Sequence, residues 1–203
     1  MEVKVIFLHG SKGISESSKK YIQMLKEAGY KVISPDHRKW CDNHKGMCKD
    51  YKSNAEEYIK KRREFQKIYK NTLDMRTKEL KDILRRMKCD VYVVGISEGG
   101  IVTALLKSKK VKKKVIIGYP CERTYFTQRK VYEQCPILNI MGSKDQFFGR
   151  KRSVSSEVSK NDGYKINGIR KGGICVKGAK HDVMNTHEKK VKKHMLTFLK
   201  KTP

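Results

Sequence analysis

Three residues have the types and chain order needed for nucleophilic acyl transfer: Ser97, Asp145 and His181. A serine hydroxyl is a poor nucleophile at neutral pH and needs a base beside it. A histidine supplies that base. A carboxylate on the other ring nitrogen holds its tautomer and stabilises the imidazolium formed in the transition state. Ser97 stands in Gly95-Ile96-Ser97-Glu98-Gly99-Gly100, a G-x-S-x-G pattern. A sharp turn of that composition lifts the hydroxyl above a sheet, and the glycines leave room for the strained backbone. The same letters also describe a structural glycine turn or a phosphate loop, but the phosphate-loop lysine and its spacing are absent. His181 stands just past the last expected strand and follows the serine and the acid in chain order, so it is the expected base, whereas His187 and His194 read as solvated residues in or beside a terminal helix. Asp182 is adjacent to His181 and cannot easily turn its carboxylate onto that ring, so Asp145 is the expected partner. Asp145 also suits a plain turn, Gly142-Ser143-Lys144-Asp145. The oxyanion of a tetrahedral intermediate needs two N–H donors. The backbone N–H groups of Glu98 and Ser11 are expected to provide them, and their side chains are expected to matter less. His9 is expected to support the Ser11 loop without a catalytic role.

These residues converge only if the right elements carry them. Short apolar runs alternate with amphipathic stretches along the chain. Strands are expected at Val3–Leu8, Lys31–Ser34, Asp90–Gly95, Lys114–Gly118, Pro136–Met141 and Ile174–Lys177. Helices are expected at Ser15–Ala28, with Ser15 as N-cap, at Ala55–Met87, at Gly99–Leu106 and from about Glu188 to Leu199. Runs apolar on both faces are the mark of a parallel sheet covered on both sides. The expected fold is therefore α/β, a doubly wound, mostly parallel six-stranded sheet with helices on both faces. In such a sheet ligands bind beyond the carboxyl ends of the strands. Ser11, Ser97, Asp145 and His181 each follow a strand, so all fall at that edge. One domain over residues 1–203 is expected, with a lid-like or surface insertion near residues 37–54.

The 203 residues include 48 Lys and Arg against 21 Asp and Glu, a net charge of +27. Such a field favours solubility and attracts anions. Weak nonspecific binding to polyanions is expected from it. The lysines are spread along the whole chain, which suits a solvated surface. No secretion signal or membrane span is read, so a cytoplasmic protein with reduced thiols is expected. Cys89, Cys121, Cys135 and Cys175 read as small core residues. His37, Cys41, His44 and Cys48 are of zinc-ligand types, but Pro35 and Gly46 oppose a continuous helix and the spacing matches no standard finger. No metal and no cofactor are expected.

Together, Phe7-Leu8-His9-Gly10, Ser34-Pro35-Asp36-His37-Arg38, the turn around Ser97, Met141-Gly142-Ser143-Lys144-Asp145 and Gly178-Ala179-Lys180-His181-Asp182 resemble the α/β-hydrolase superfamily. The likeness is to its small dienelactone-hydrolase-like and serine-esterase-like members. Longer members carry two further strands before the His-Gly strand, so the chain resembles a minimal version. Many relatives insert a cap where this chain has the short stretch Tyr119 to Cys135. Dienelactone hydrolases proper use cysteine where this chain has Ser97. The resemblance thus implies hydrolysis of small carboxylic esters or thioesters through a Ser97 acyl-enzyme. The alternatives are a peptidase of the same fold and a degenerate hydrolase serving as a basic nucleic-acid-binding protein. Neither the oligomeric state nor the acyl group is legible.

Overall fold

The computed structural model describes residues 3–37, 62–121, 131–145, 147 and 173–201. Cys41, His44, Cys48 and nearly all of the expected insertion lie outside the described residues. So does the beginning of the helix expected from Ala55.

The elements, in order, are β1 (Lys4–Leu8), α1 (Glu16–Glu27), β2 (Lys31–Ile33), α2 (Arg62–Arg86), β3 (Val91–Ile96), α3 (Glu98–Leu105), β4 (Val111–Ile117), β5 (Ile137–Gly142), β6 (Gly173–Val176) and α4 (Val183–Lys200). The six strands form one sheet in the order β2-β1-β3-β4-β5-β6. Every pairing is parallel. The register sets Leu8 beside Gly95, Ile96 beside Ile117 and Gly142 beside Val176. The carboxyl ends therefore finish together, and the loops that leave them share one edge.

Successive strand residues point to opposite faces, and the core divides accordingly. Ile6, Leu8, Val91 and Val93 pack with Leu73, Leu80 and Leu84 of α2 and Ile101 and Leu105 of α3. Val5, Phe7, Tyr92 and Val94 pack with Tyr21 and Leu25 of α1 and Val191 and Met195 of α4. Each helix has an apolar stripe to bury, and the sheet offers two apolar faces. Ser15 caps α1 as expected, its hydroxyl accepting from the Ser18 N–H at 3.3 Å.

The structure departs from the sequence reading at three places. Strand β4 begins at Val111, three residues before the expected Lys114. Lys113 and Lys114 are buried inside it. Lys114 Nζ donates to the carbonyls of Leu106 at 2.6 Å and Tyr132 at 2.9 Å. Lys113 Nζ reaches the C-terminal carbonyls of α4 at Phe198 and Leu199. A run of lysines thus lies in a central strand, because long stems carry each ammonium to waiting oxygens. Burial lowers the Lys114 pKa to about 8. Helix α4 begins at Val183 and not near Glu188, with a kink at His187 (φ −141°, ψ 43°) just before the expected start. Finally, Cys121 is buried, but Cys89 and Cys135 are half-buried and Cys175 is exposed. Cys175 lies on β6, the last strand of the sheet, where a face has less cover.

Candidate active site

Ser97 is the residue between β3 and α3, with φ 52° and ψ −117°. A positive φ is uncommon for a side-chain-bearing residue and persists only where the surroundings enforce it. Here they do. The Ser97 N–H donates to the Ile117 carbonyl at 2.8 Å, and its carbonyl starts the α3 ladder by accepting from Ile101 at 3.0 Å. A Cβ on Gly95 would overlap the Gly99 carbonyl and the Thr103 hydroxyl. One on Gly99 would overlap the Leu8 and His9 carbonyls. The glycines are therefore required by packing, and the helix starts tight against the sheet.

The acid and the histidine arrive on two loops stitched together. Ser143 N–H donates to the Val176 carbonyl at 3.0 Å and Lys144 N–H to the Ala179 carbonyl at 2.7 Å. Gly178 N–H returns a bond to the Ser143 hydroxyl at 2.7 Å. As a result Asp145 Oδ2 lies 2.7 Å from His181 Nδ1, and His181 Nε2 lies 2.9 Å from Ser97 Oγ. The second Asp145 oxygen accepts the Phe147 N–H at 2.8 Å. The Asp145 side chain has no exposed surface, while that of His181 keeps 16%. A buried carboxylate, a half-buried imidazole and a hydroxyl at the rim can move one proton between Ser97 and His181. Asp182, the rival acid, is occupied elsewhere: its oxygens accept from Ser17 at 2.6 Å and Asn185 at 2.9 Å.

The site opens into a cavity of about 230 Å³, lined by Ser97 and His181 with Gly10, Ser11, Ile96, Ile117 and Phe147 among their neighbours. The loop after β1 forms one wall. A Cβ on Gly10 would stand 3.2 Å from Ser97 Cβ. His9 sits below, fully buried, and its Nε2 accepts the His37 N–H at 2.9 Å. Burial, and then the nearby Arg76 charge, lower the His9 pKa, so the ring is the neutral acceptor this bond needs. The bond fastens the segment after β1 to the segment after β2.

The structure brings Ser97, Asp145 and His181 into contact; Ser11 lines the same cavity as Ser97, and Glu98 follows the serine as the first residue of α3. Other members were missed. Phe147 packs edge-on against the His181 ring, with centroids 4.6 Å apart. Gly118, at φ +64°, lies where a Cβ would meet His181 Cε1 at 3.0 Å. The Glu98 side chain was expected to be incidental. Instead it is 5% exposed, ion-paired with Arg76 and hydrogen-bonded by the Tyr69 hydroxyl at 3.0 Å. The available signal was an arginine falling in phase with the apolar stripe of α2.

Among solved structures the chain is similar to the monoacylglycerol lipase of Paleococcus ferrophilus, at 11% identity and a TM-score of 0.60, covering 98% of this chain and 96% of that one. It is also similar to the carboxylesterase CesB of Bacillus subtilis, at 12% identity and a TM-score of 0.55, covering 98% and 84%. The esterase Pf2001 of Pyrococcus furiosus shows 16% identity and a TM-score of 0.55, covering 98% and 82%. At such identities these likenesses establish the fold. No curated protein matches the chain in sequence. The family model for the dienelactone hydrolase family matches residues 2–168, a stretch that includes the turn at Ser97 and the acid Asp145. With its parallel sheet and the serine turn at the sheet's carboxyl edge, the chain belongs to the dienelactone hydrolase family and shares the hydrolase fold of the lipase and esterases named above.

Proposed function

We propose that the protein is a serine hydrolase that cleaves small carboxylic esters or thioesters through an acyl-enzyme on Ser97. The observation that carries this reading is the unbroken relay from Ser97 Oγ to His181 Nε2 and from His181 Nδ1 to Asp145 Oδ2, at 2.9 and 2.7 Å. His181 takes the Ser97 proton as the oxygen attacks the carbonyl carbon. Asp145 accepts the Nδ1–H and stabilises the imidazolium. The oxyanion is held by the N–H groups of Glu98 and Ser11. Collapse expels the alcohol or thiol, which leaves with the proton from His181. Water then repeats the sequence against the acyl-enzyme and frees the acid.

The cavity of about 230 Å³ is smaller than the usual ligand pocket of roughly 300–1,000 Å³. That supports a short acyl chain. A protein that only binds polyanions has no use for the relay, so the relay favours an enzyme over a basic binding protein.

Hydrolysis of p-nitrophenyl esters of increasing chain length by the wild type and Ser97→Ala tests this. Wild-type turnover is expected to peak at the shortest chains. The variant is expected to lose about 10⁴-fold or more in kcat, as loss of a triad member does. Equal turnover by both proteins would remove Ser97 as nucleophile. No ester turnover with cleavage of short peptides would move the assignment to a peptidase.

A further inference from the structure

Arg76 occupies a position that the stripe of α2 otherwise gives to core residues. Tyr69, Leu73, Leu80 and Leu84 flank it in phase, and like them it is buried, with no exposed surface. A guanidinium in such a place is tolerated only if its charge is paired and its N–H groups are bonded. Two partners pair its charge and bond both terminal nitrogens, while Nε has no hydrogen-bond partner among the described residues. Nη1 forms an ion pair with Glu98 Oε1. Nη2 donates to the main-chain carbonyl of His9 at 2.7 Å. Tyr69 donates to the other Glu98 oxygen, which completes the carboxylate.

These partners belong to the two backbone segments that flank the nucleophile. The His9 carbonyl lies in the peptide that leads to Gly10 and Ser11, and Glu98 directly follows Ser97. The ladder between β1 and β3 ends at Leu8 and Gly95. Beyond that point the sheet no longer holds the segments in register. Yet Gly10 comes so near the serine that a Cβ would stand 3.2 Å from Ser97 Cβ. One guanidinium spans this gap. Its charge matters as well. Glu98 is an acid beside the position where negative charge develops, and unpaired it would oppose that charge.

We propose that Arg76 is a positioning residue for acyl transfer. It clamps the His9 carbonyl to the Glu98 carboxylate, which fixes together the two backbone segments that hold the oxyanion and neutralises the acid beside them. This rests on the Ser97 hydrolase reading above.

Arg76→Met alone leaves Glu98 buried without its counter-charge and risks unfolding. The informative protein is therefore the double variant Arg76→Met/Glu98→Gln, which removes both charges at similar volume and should stay folded. Its kcat, normalised to active sites by the acyl-enzyme burst, is expected to fall by roughly 10- to 100-fold with KM within about threefold. Arg76→Lys keeps the charge but cannot span both partners, and should fall between the double variant and the wild type. Amide exchange at Gly10, Ser11 and Lys12 is expected to speed up in the double variant, a readout that needs no turnover. A folded double variant with wild-type kcat and wild-type exchange overturns the clamp. Faster exchange alongside a wild type that cleaves no ester keeps Arg76 as the fixing contact of this loop and overturns the hydrolase reading instead.

Discussion

His37 shows how one side chain can set a pH dependence next to the site. Its side chain has no exposed surface, and its Nδ1 lies 2.5 Å from Glu79 Oε2. Burial, with the charge of Arg76 and the neighbouring His9, lowers its pKa to about 3. An unfolded histidine titrates near 6.5. Below that pH the unfolded chain binds a proton that the folded chain refuses, so stability is greatest above 6.5 and declines as pH falls toward 3. His9 titrates in the same direction. Glu79 opposes it, because burial raises its carboxyl pKa. Urea midpoints measured at steps from about pH 7 to pH 4 should fall for the wild type and fall less steeply for His37→Gln. Parallel curves would mean that the histidine is not held neutral. The main-chain N–H of His37 is also the donor to His9, which ties this segment to the loop next to the nucleophile.

At the scale of elements, the site depends on how closely α3 approaches β1. Gly99 is inside the first turn of α3, where propensity alone would favour alanine by about 1 kcal/mol. Packing opposes this, since the added Cβ would overlap the backbone carbonyls of Leu8 and His9. Neither carbonyl is the end of a flexible side chain, so strand and helix must separate. Overpacking of this kind costs about 1–3 kcal/mol, which exceeds the propensity gain. Gly99→Ala is therefore expected to lower the urea midpoint and to reduce activity by moving Ser97 and Glu98 away from the Ser11 loop. A raised midpoint would show that propensity wins and that the close approach is absent in solution. The buried lysines of β4 follow a related rule. Lys113 reaches the last carbonyls of α4, so a strand residue completes the end of a helix.

For the whole molecule the dominant fact is the charge of +27. The surface ion pairs are exposed ones such as Lys19 with Glu16 and Lys192 with Glu27, and pairs of that kind contribute little. Repulsion among the remaining cations should therefore exceed attraction, and salt should relieve it. Raising sodium chloride from about 20 mM to about 200 mM, which shortens the Debye length to below 10 Å, is expected to raise Tm. A falling Tm would mean that the surface pairs outweigh the net repulsion. Among the described residues no helix is long and apolar enough to cross a membrane.

The strands, their covering helices and the order Ser97, Asp145, His181 were legible in the sequence because each depends on neighbours in the chain. An apolar run, a glycine turn or a cap is a local pattern, and a parallel sheet then forces the strand ends to one edge. Two kinds of feature were not legible. Arg76 and Glu98 are 22 residues apart, and nothing near either residue announces the other. Lys114 was expected only as the first residue of a strand and Lys113 as lying just before it, yet their ammonium groups are among carbonyls of α4, Leu106 and Tyr132. The sequence by itself thus determined which residues could perform acyl transfer and which edge would hold them. Only the tertiary structure decided which charges are buried and what they fasten together, because the cost of desolvating a charge depends on the elements packed around it and not on its place in the chain.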